Sequence, residues 1–241
     1  MEGRQLQMRH VLSLIYQPSL YLFLILMALT ACGGSGNEKT SASDNSEQVR
    51  PDTATETTKT IVFFGNSLSA GYGLDPSEAF PALIQKKIDS LQLPYRVVNA
   101  GVSGETSSGG NSRIDWILRQ PVHIFVLELG GNDGLRGIPL GETKKNLQAI
   151  IDKVRGRYPD AKILLAGMQI PPNMGRTYTD EFRELYPELA KKNNIELVPF
   201  LLEGVGGEAK YNQSDGIHPT AEGHMIVAEN VWDELVQLLE S

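Results

Sequence analysis

Beyond residue 59 the sequence repeats one local pattern: a short apolar run, a loop of glycine and small polar residues, then a stretch with helical spacing. The apolar runs are TIVFFG (60–65), YRVVNA (95–100), HIFVLELG (123–130), KILLAGM (162–168) and IELVPF (195–200). Each is rich in Val, Ile, Leu or Phe with little polar alternation, as expected of strands covered on both faces. Strands that alternate with helical stretches predict a parallel sheet between helical layers. The expected fold is α/β, a three-layer α/β/α sandwich around a five-stranded parallel sheet.

The helical stretches carry their own signals. Asp75-Pro76-Ser77-Glu78 reads as a helix start, with an acidic cap, proline in the first position and glutamate three residues on. Phe80, Leu83, Ile84, Ile88 and Leu91 then form one apolar stripe, and Leu147, Ile150, Ile151 and Val154 a second. Phe182, Leu185, Tyr186 and Leu189 form a third, which Pro187 is expected to kink or to end in its first part. A last helix is expected from Thr220 to near the C-terminus.

Right-handed crossovers bring the loops that follow parallel strands to one edge of the sheet. Here those loops are GNSLSAGYG, NAGVSGETSSGG, GGNDGLRG and GMQIPPNMG, and a further motif, SDGIHPTAEGH, precedes the final helix. In the first loop, Ser67 follows a buried strand directly. A plain strand-to-helix turn explains this, and so does a nucleophile held at the strand's carboxyl end. Nothing inside the stretch decides, because a serine needs a base and an acid from elsewhere. Of the four histidines, His10 lies near the N-terminus, His123 begins a strand, and His224 falls in the last helix, where packing or solvent exposure is expected. His218 sits in Asp215-Gly216-Ile217-His218-Pro219, where a tight turn can set a carboxylate beside the imidazole and fix its tautomer. Taken alone, that stretch reads better as the start of a helix.

Composition narrows the functional classes. The 241 residues carry a net charge of −7 and show no basic stripe, so no nucleic-acid partner is expected. A single cysteine, Cys32, leaves no disulfide framework or cysteine cluster within one chain. The glycines at 101, 104, 109 and 110 lack the spacing of a dinucleotide fingerprint, and neither a nucleotide cofactor nor a metal is expected.

Residues 1–31 read as an export signal, with Arg4 and Arg9 ahead of the apolar run LYLFLILMALTA, which is short for a membrane span. Leu29-Thr30-Ala31-Cys32 resembles the lipobox of bacterial lipoproteins, which implies cleavage before Cys32 and a diacylglycerol on its thiol. An uncleaved anchor is the alternative. Gly33, where inner-membrane retention usually has aspartate, points to the outer membrane. Residues 33–59 contain one valine and no aromatic residue, too little apolar surface to offset the entropy of ordering. Residues 32–59 are therefore expected to be a lipidated cysteine with a flexible tether, and 60–241 the folded domain.

The blocks GNSLSAGYG, NAGVSGETS, GGNDGLRG and DGIHP occur in the order found in the SGNH hydrolases, the GDSL family, which the chain resembles over about residues 60–241. Within that family, ELGGNDGLRG, MQIPPNMGRTY and DGIHPTAEGH are most similar to the bacterial thioesterase I, lysophospholipase and arylesterase branch. The resemblance implies a flavodoxin-like sandwich and a monomeric serine esterase acting on acyl esters or thioesters. It assigns the nucleophile to Ser67, the base to His218 and its orienting acid to Asp215. The oxyanion donors would be the backbone N–H groups of Ser67 and Gly104 and the side chain of Asn132. In that branch the loop 134–139 borders the acyl chain, which brings in Gly134, Leu135 and Ile138. Met168, Ile170 and Pro171, with Pro172 and Met174, could add apolar wall or be ordinary surface loop. One residue departs from the family pattern: the usual aspartate before the serine is Asn66, which brings no charge.

Three rivals remain at this level. An α/β-hydrolase has the same chemistry, but residues 65–69 lack the second glycine of G-x-S-x-G. A carbohydrate or cell-wall O-acetyl esterase of the same fold would want aromatic platforms, and Trp116 and Trp232 fall on predicted helices away from the loops. The third rival is an inactive surface lipoprotein that binds acyl chains or a partner.

Overall fold

Two neighbouring phenylalanines show how the layers are built. In β1 (Lys59–Gly65), Phe63 meets Phe80 edge-on on one face of the sheet, while Phe64 lies under the Arg113 guanidinium on the other. Successive side chains of a strand point to opposite faces, so a strand buried on both sides must be apolar throughout. Ile61 through Phe64 are fully buried, and each such side chain contributes about 1.5–3 kcal/mol relative to exposure.

The structure, a computed structural model, describes residues 58–239. The expected export signal, Cys32 and the tether up to residue 57 lie outside the described residues. The remaining strands are β2 (Tyr95–Asn99), β3 (Ile124–Glu128), β4 (Lys162–Ala166) and β5 (Glu196–Val198). All pairings are parallel, in the order β2-β1-β3-β4-β5. The helices are α1 (Ser67–Ala70), α2 (Phe80–Ser90), α3 (Ser107–Ile117), α4 (Gly131–Leu135), α5 (Leu140–Arg157), α6 (Arg176–Asn193) and α7 (Ala221–Leu239). Helices α2 and α7 form one layer, and α3, α5 and α6 the other. The expected five-stranded parallel sandwich is the fold observed.

Three local expectations change. The capping box at Asp75 forms, but it caps a separate 3-10 turn, Pro76–Glu78, after which Ala79 is extended and α2 starts at Phe80. A continuous helix is blocked because Pro81 has no N–H for the Ser77 carbonyl, and because the Phe80 N–H donates instead to Nδ1 of His224 at 3.1 Å. Leu91 leaves the stripe: it lies past the last turn of α2 and is 57% exposed. Pro187 does not end α6, which runs unbroken through it. Pro187 and Arg183 are both exposed, so the carbonyl that the proline leaves without a donor is open to water, while Phe182, Leu185, Tyr186 and Leu189 hold the buried face.

His224 has the packing role. It is buried, stacks on Phe80 and accepts the Phe80 N–H, and burial, aided by the charge of His218, pushes its pKa down to about 4. A histidine that stays neutral when folded stabilises fully above its ordinary pKa of about 6.5 and loses that contribution as pH falls through 4. Chemical denaturation between pH 7 and 4 is expected to show a stability loss of up to about 3 kcal/mol. H224Q should start from lower stability and lack this segment of the pH dependence.

Candidate active site

The strand order reverses direction at β1: the chain passes to β2 on one side and then to β3 on the other. In open parallel sheets the crevice outside the carboxyl ends at such a switch point is where ligands bind. The turn after β1 carries Ser67, and the turn after β3 carries Asn132.

Ser67 is the first residue of α1, and Asn66 caps that short helix by accepting the Leu68 N–H on Oδ1 at 2.9 Å. The turn is tied down from below. The β1–β3 register sets Gly65 opposite Glu128, the last residue of β3. Oε2 of Glu128 accepts the N–H of Asn66 at 3.0 Å, the N–H of Ser69 at 3.2 Å and the Ser69 hydroxyl at 2.9 Å. Oε1 accepts the Asn66 amide at 2.6 Å. A side chain at position 65 would collide with Ser69 Oγ and Glu128 Oε2, so only glycine admits this approach. Burial pushes the Glu128 pKa up to about 7 against the pull of its donors.

The opposing groups arrive from far along the chain. Residues 199–220 travel back from β5, at the sheet edge, to the end of β1, and Gln213 Nε2 ties them there by donating to the Tyr72 carbonyl at 2.7 Å. Nε2 of His218 lies 2.9 Å from Ser67 Oγ. Nδ1 of His218 lies 2.7 Å from Oδ2 of Asp215, whose Oδ1 accepts the N–H groups of Ile217 at 2.9 Å and His218 at 3.0 Å. These bonds hold the Asp215 carboxyl down at about 2, the bond from the His218 side chain being the strongest. Ionised Asp215 only accepts, so Nδ1 carries the proton and Nε2 is left to accept from Ser67. The Tyr72 ring lies against the imidazole, centroids 4.5 Å apart.

Of the candidate oxyanion donors, Asn132 lines the same cavity as Ser67 and Gly104 does not. Asn132 donates one amide hydrogen to the Glu105 carbonyl at 2.9 Å, which orients the amide and leaves its second hydrogen. Gly104 has φ +78° and its carbonyl accepts from Arg136 at 3.0 Å. Arg113 holds the same loop, bonding both Glu105 oxygens at 2.7 and 2.5 Å and the Ala100 carbonyl at 2.7 Å. Asp133, buried beside Asn132, accepts the Ser107 N–H at 2.8 Å and hydroxyl at 2.5 Å, which joins α4 to the start of α3.

A cavity of about 450 Å³ opens beside Ser67 and His218. Of the residues expected to contact an acyl chain, Leu135, Met168, Ile170 and Pro171 line it. Gly134 and Ile138 do not. Residues 134 and 135 are not loop but the end of α4, and Gly134 is buried behind the wall, against Ile170 and Phe182. Ile138 is absent from the lining, and its carbonyl takes the Tyr178 hydroxyl at 2.7 Å. Met174 is also absent from the lining. Sequence reasoning missed Leu68, Phe200, Leu202 and Ile217, all of which line the cavity. The signal was present: 199–213 also follow a strand, so the rule that gathered the other loops applies to them too. Glu128 was missed as well, although it is the one charge in an apolar run. A second cavity of about 480 Å³, at the opposite edge among Lys59, Tyr95, His123 and Lys162, is lined by no serine, threonine or cysteine.

Residues 63–226 match the GDSL-like lipase/acylhydrolase family. The chain belongs to that family. It is 43% identical over 182 residues to the esterase TesA of Pseudomonas aeruginosa, covering 75% of this chain and 90% of the relative. It is 39% identical over 181 residues to the thioesterase 1/protease 1/lysophospholipase L1 of Escherichia coli K12, with coverage of 75% and 85%. It is 34% identical over 187 residues to the arylesterase of Vibrio mimicus, with coverage of 77% and 92%. A crystal structure of TesA, 43% identical, superposes with a TM-score of 0.72 over 75% of this chain and 99% of that one. The protein is thus a GDSL-type esterase, a hydrolase acting on ester bonds.

Gly65→Ala tests the close approach beneath the serine. Overpacking of this kind typically costs about 1–3 kcal/mol, so G65A should lower the thermal midpoint and slow turnover together. A variant with wild-type midpoint and turnover would show that the turn has room to spare.

Proposed function

We propose that Ser67 attacks the acyl carbon of carboxylic esters and thioesters, forming an acyl-enzyme. The observation that carries this is the continuous line Asp215–His218–Ser67, with separations of 2.7 and 2.9 Å, at the mouth of the apolar cavity. As Ser67 Oγ attacks, its proton passes to Nε2 of His218, which returns it to the departing oxygen or sulfur. Water then repeats the sequence to release the acid. Asp215 orients the ring and stabilises it when charged. The N–H groups of Ser67 and Gly104 and the amide of Asn132 receive the charge that develops on the carbonyl oxygen.

The acyl portion lies against Leu135, Met168, Ile170, Pro171, Phe200 and Leu202. Asp215, which does not line the cavity, is exposed beside His218, so the leaving group meets open surface. Tolerance toward the leaving group follows. The relatives named esterase, thioesterase, lysophospholipase and arylesterase support the same breadth. The protein is further proposed to be exported and anchored through a lipidated Cys32 in the outer membrane, on the strength of the residue 20–32 pattern.

Purified protein should hydrolyse both p-nitrophenyl acyl esters and acyl-CoAs. Indifference to both, with release of acetate from a polysaccharide, would move it to the carbohydrate esterases. Ser67→Ala should abolish fluorophosphonate labelling; failure of the wild type to label would make it an inactive binding protein. Loss of one oxyanion donor typically costs about 3 kcal/mol, so N132A should lower kcat by about two to three decades, and a loss under about fivefold would remove Asn132 from that role. Cys32→Ala should move the protein from the membrane to the soluble fraction of cells expressing the full chain.

A further inference from the structure

The turn that presents Ser67 rests on one matched pair of buried side chains, Asn66 and Glu128. Both residues that bracket Ser67 and Leu68 donate to the same carboxylate: Asn66 through its N–H and its amide, Ser69 through its N–H and its hydroxyl. The Asn66 amide has no alternative orientation. Its Oδ1 accepts the Leu68 N–H and its Nδ2 meets Glu128 Oε1, so a flip would break both bonds at once.

We propose that Glu128 is a positioning residue for Ser67, its carboxyl group aiming the serine hydroxyl at His218, and that Asn66 is the neutral donor that lets this group stand under the nucleophile. The proposal rests on the reading of Ser67 as nucleophile. An aspartate at 66 would put a carboxylate oxygen where Nδ2 now stands, 2.6 Å from Glu128 Oε1, a contact two carboxyl groups keep only by sharing a proton. The amide removes that requirement. The charged and titratable groups packed around the pair make their bonds elsewhere. Tyr186 of α6 donates to the Leu129 carbonyl at 3.1 Å, and Glu128 and Asp133 add to the burial that keeps its proton on. Asp133 of α4 is held by Ser107 and Thr143, and Arg113 of α3 by Glu105 and the Ala100 carbonyl.

The bond polarity gives the test. In E128Q the amide oxygen can replace Oε2, but its NH₂ then faces the NH₂ of Asn66, donor against donor, and one bond of the turn is lost. In N66D two carboxyl groups meet. In N66D/E128Q the donor and acceptor simply exchange sides: the amide introduced at position 128 donates to the carboxylate introduced at position 66, and every other bond is kept. The four proteins are compared for kcat, KM and pH profile with a p-nitrophenyl acyl ester, with thermal midpoints alongside. E128Q should lose at least tenfold in kcat with KM within about twofold of wild type. N66D should fall away at alkaline pH, where wild type does not, as the shared proton leaves. The double variant should recover to within about threefold of wild type with no such alkaline fall. A smaller loss in E128Q, a N66D profile that overlays wild type, or a double variant no better than E128Q overturns the proposal. If E128Q does not fold, recovery of both midpoint and kcat in the double variant decides in its favour, and absence of that recovery decides against it. Ser67→Ala keeps the two readings apart: activity that survives in S67A removes the nucleophile itself, whereas an inactive S67A beside an unaffected E128Q removes only the role of Glu128.

Discussion

A parallel strand can be reached from its neighbour only by a crossover that carries the chain back to its starting edge, and that constraint organises this molecule. Every strand ends on the same side of the sheet, so the loops after β1, β2, β3, β4 and β5 meet there although they lie far apart in sequence. The order β2-β1-β3 then places the ends of the two central strands side by side, with Ser67 following one and Asn132 the other. The histidine needs a longer path. It follows β5, at the far edge, and residues 199–220 bring it back across the sheet, supplying Phe200 and Leu202 to the cavity wall on the way.

The centre of the sheet carries polarity that its apolar strands could not host elsewhere. Glu128 and Asp133 are both almost fully buried, one under the serine turn and one beside Asn132. Each is offset by backbone and hydroxyl donors from the neighbouring turn, so the free energy lost on desolvation is recovered only when those turns adopt one geometry. A carboxylate that accepts several bonds from one turn thus acts as a template for it. The same logic holds the glycine loop, where Arg113 satisfies both oxygens of Glu105 and two neighbouring carbonyls while its guanidinium covers Phe64.

Much of the fold was legible because strands buried on both faces leave an unbroken apolar signature. All five predicted runs overlap observed strands, with ends that shift by at most two residues. The shifts occur where an apolar residue leaves the sheet yet stays buried, as Leu129 and Met168 do, since burial alone does not separate strand from loop. Asp215 and His218 were legible together because they stand three residues apart in one turn. The acyl-facing wall was read less well. Spacing along the chain does not reveal that Gly134 lies behind Ile170 while Leu135 faces the cavity, because a one-residue step on a helix turns the side chain through about 100°. Helix boundaries failed where a distant partner intervened, as when His224 takes the Phe80 N–H and α2 begins one turn late.

Residues close together in the chain carry the class of fold, the elements that alternate, and the family blocks that contain the serine, the asparagine and the aspartate–histidine turn, so these are readable without coordinates. Tertiary structure alone decided which side chains face one another across the crevice: His218 on Ser67 over 151 residues, and Asn66 on Glu128 over 62. Such pairings depend on strand order and register, set by how buried surfaces and hydrogen bonds are satisfied over the whole sheet, and no local stretch of residues encodes that solution.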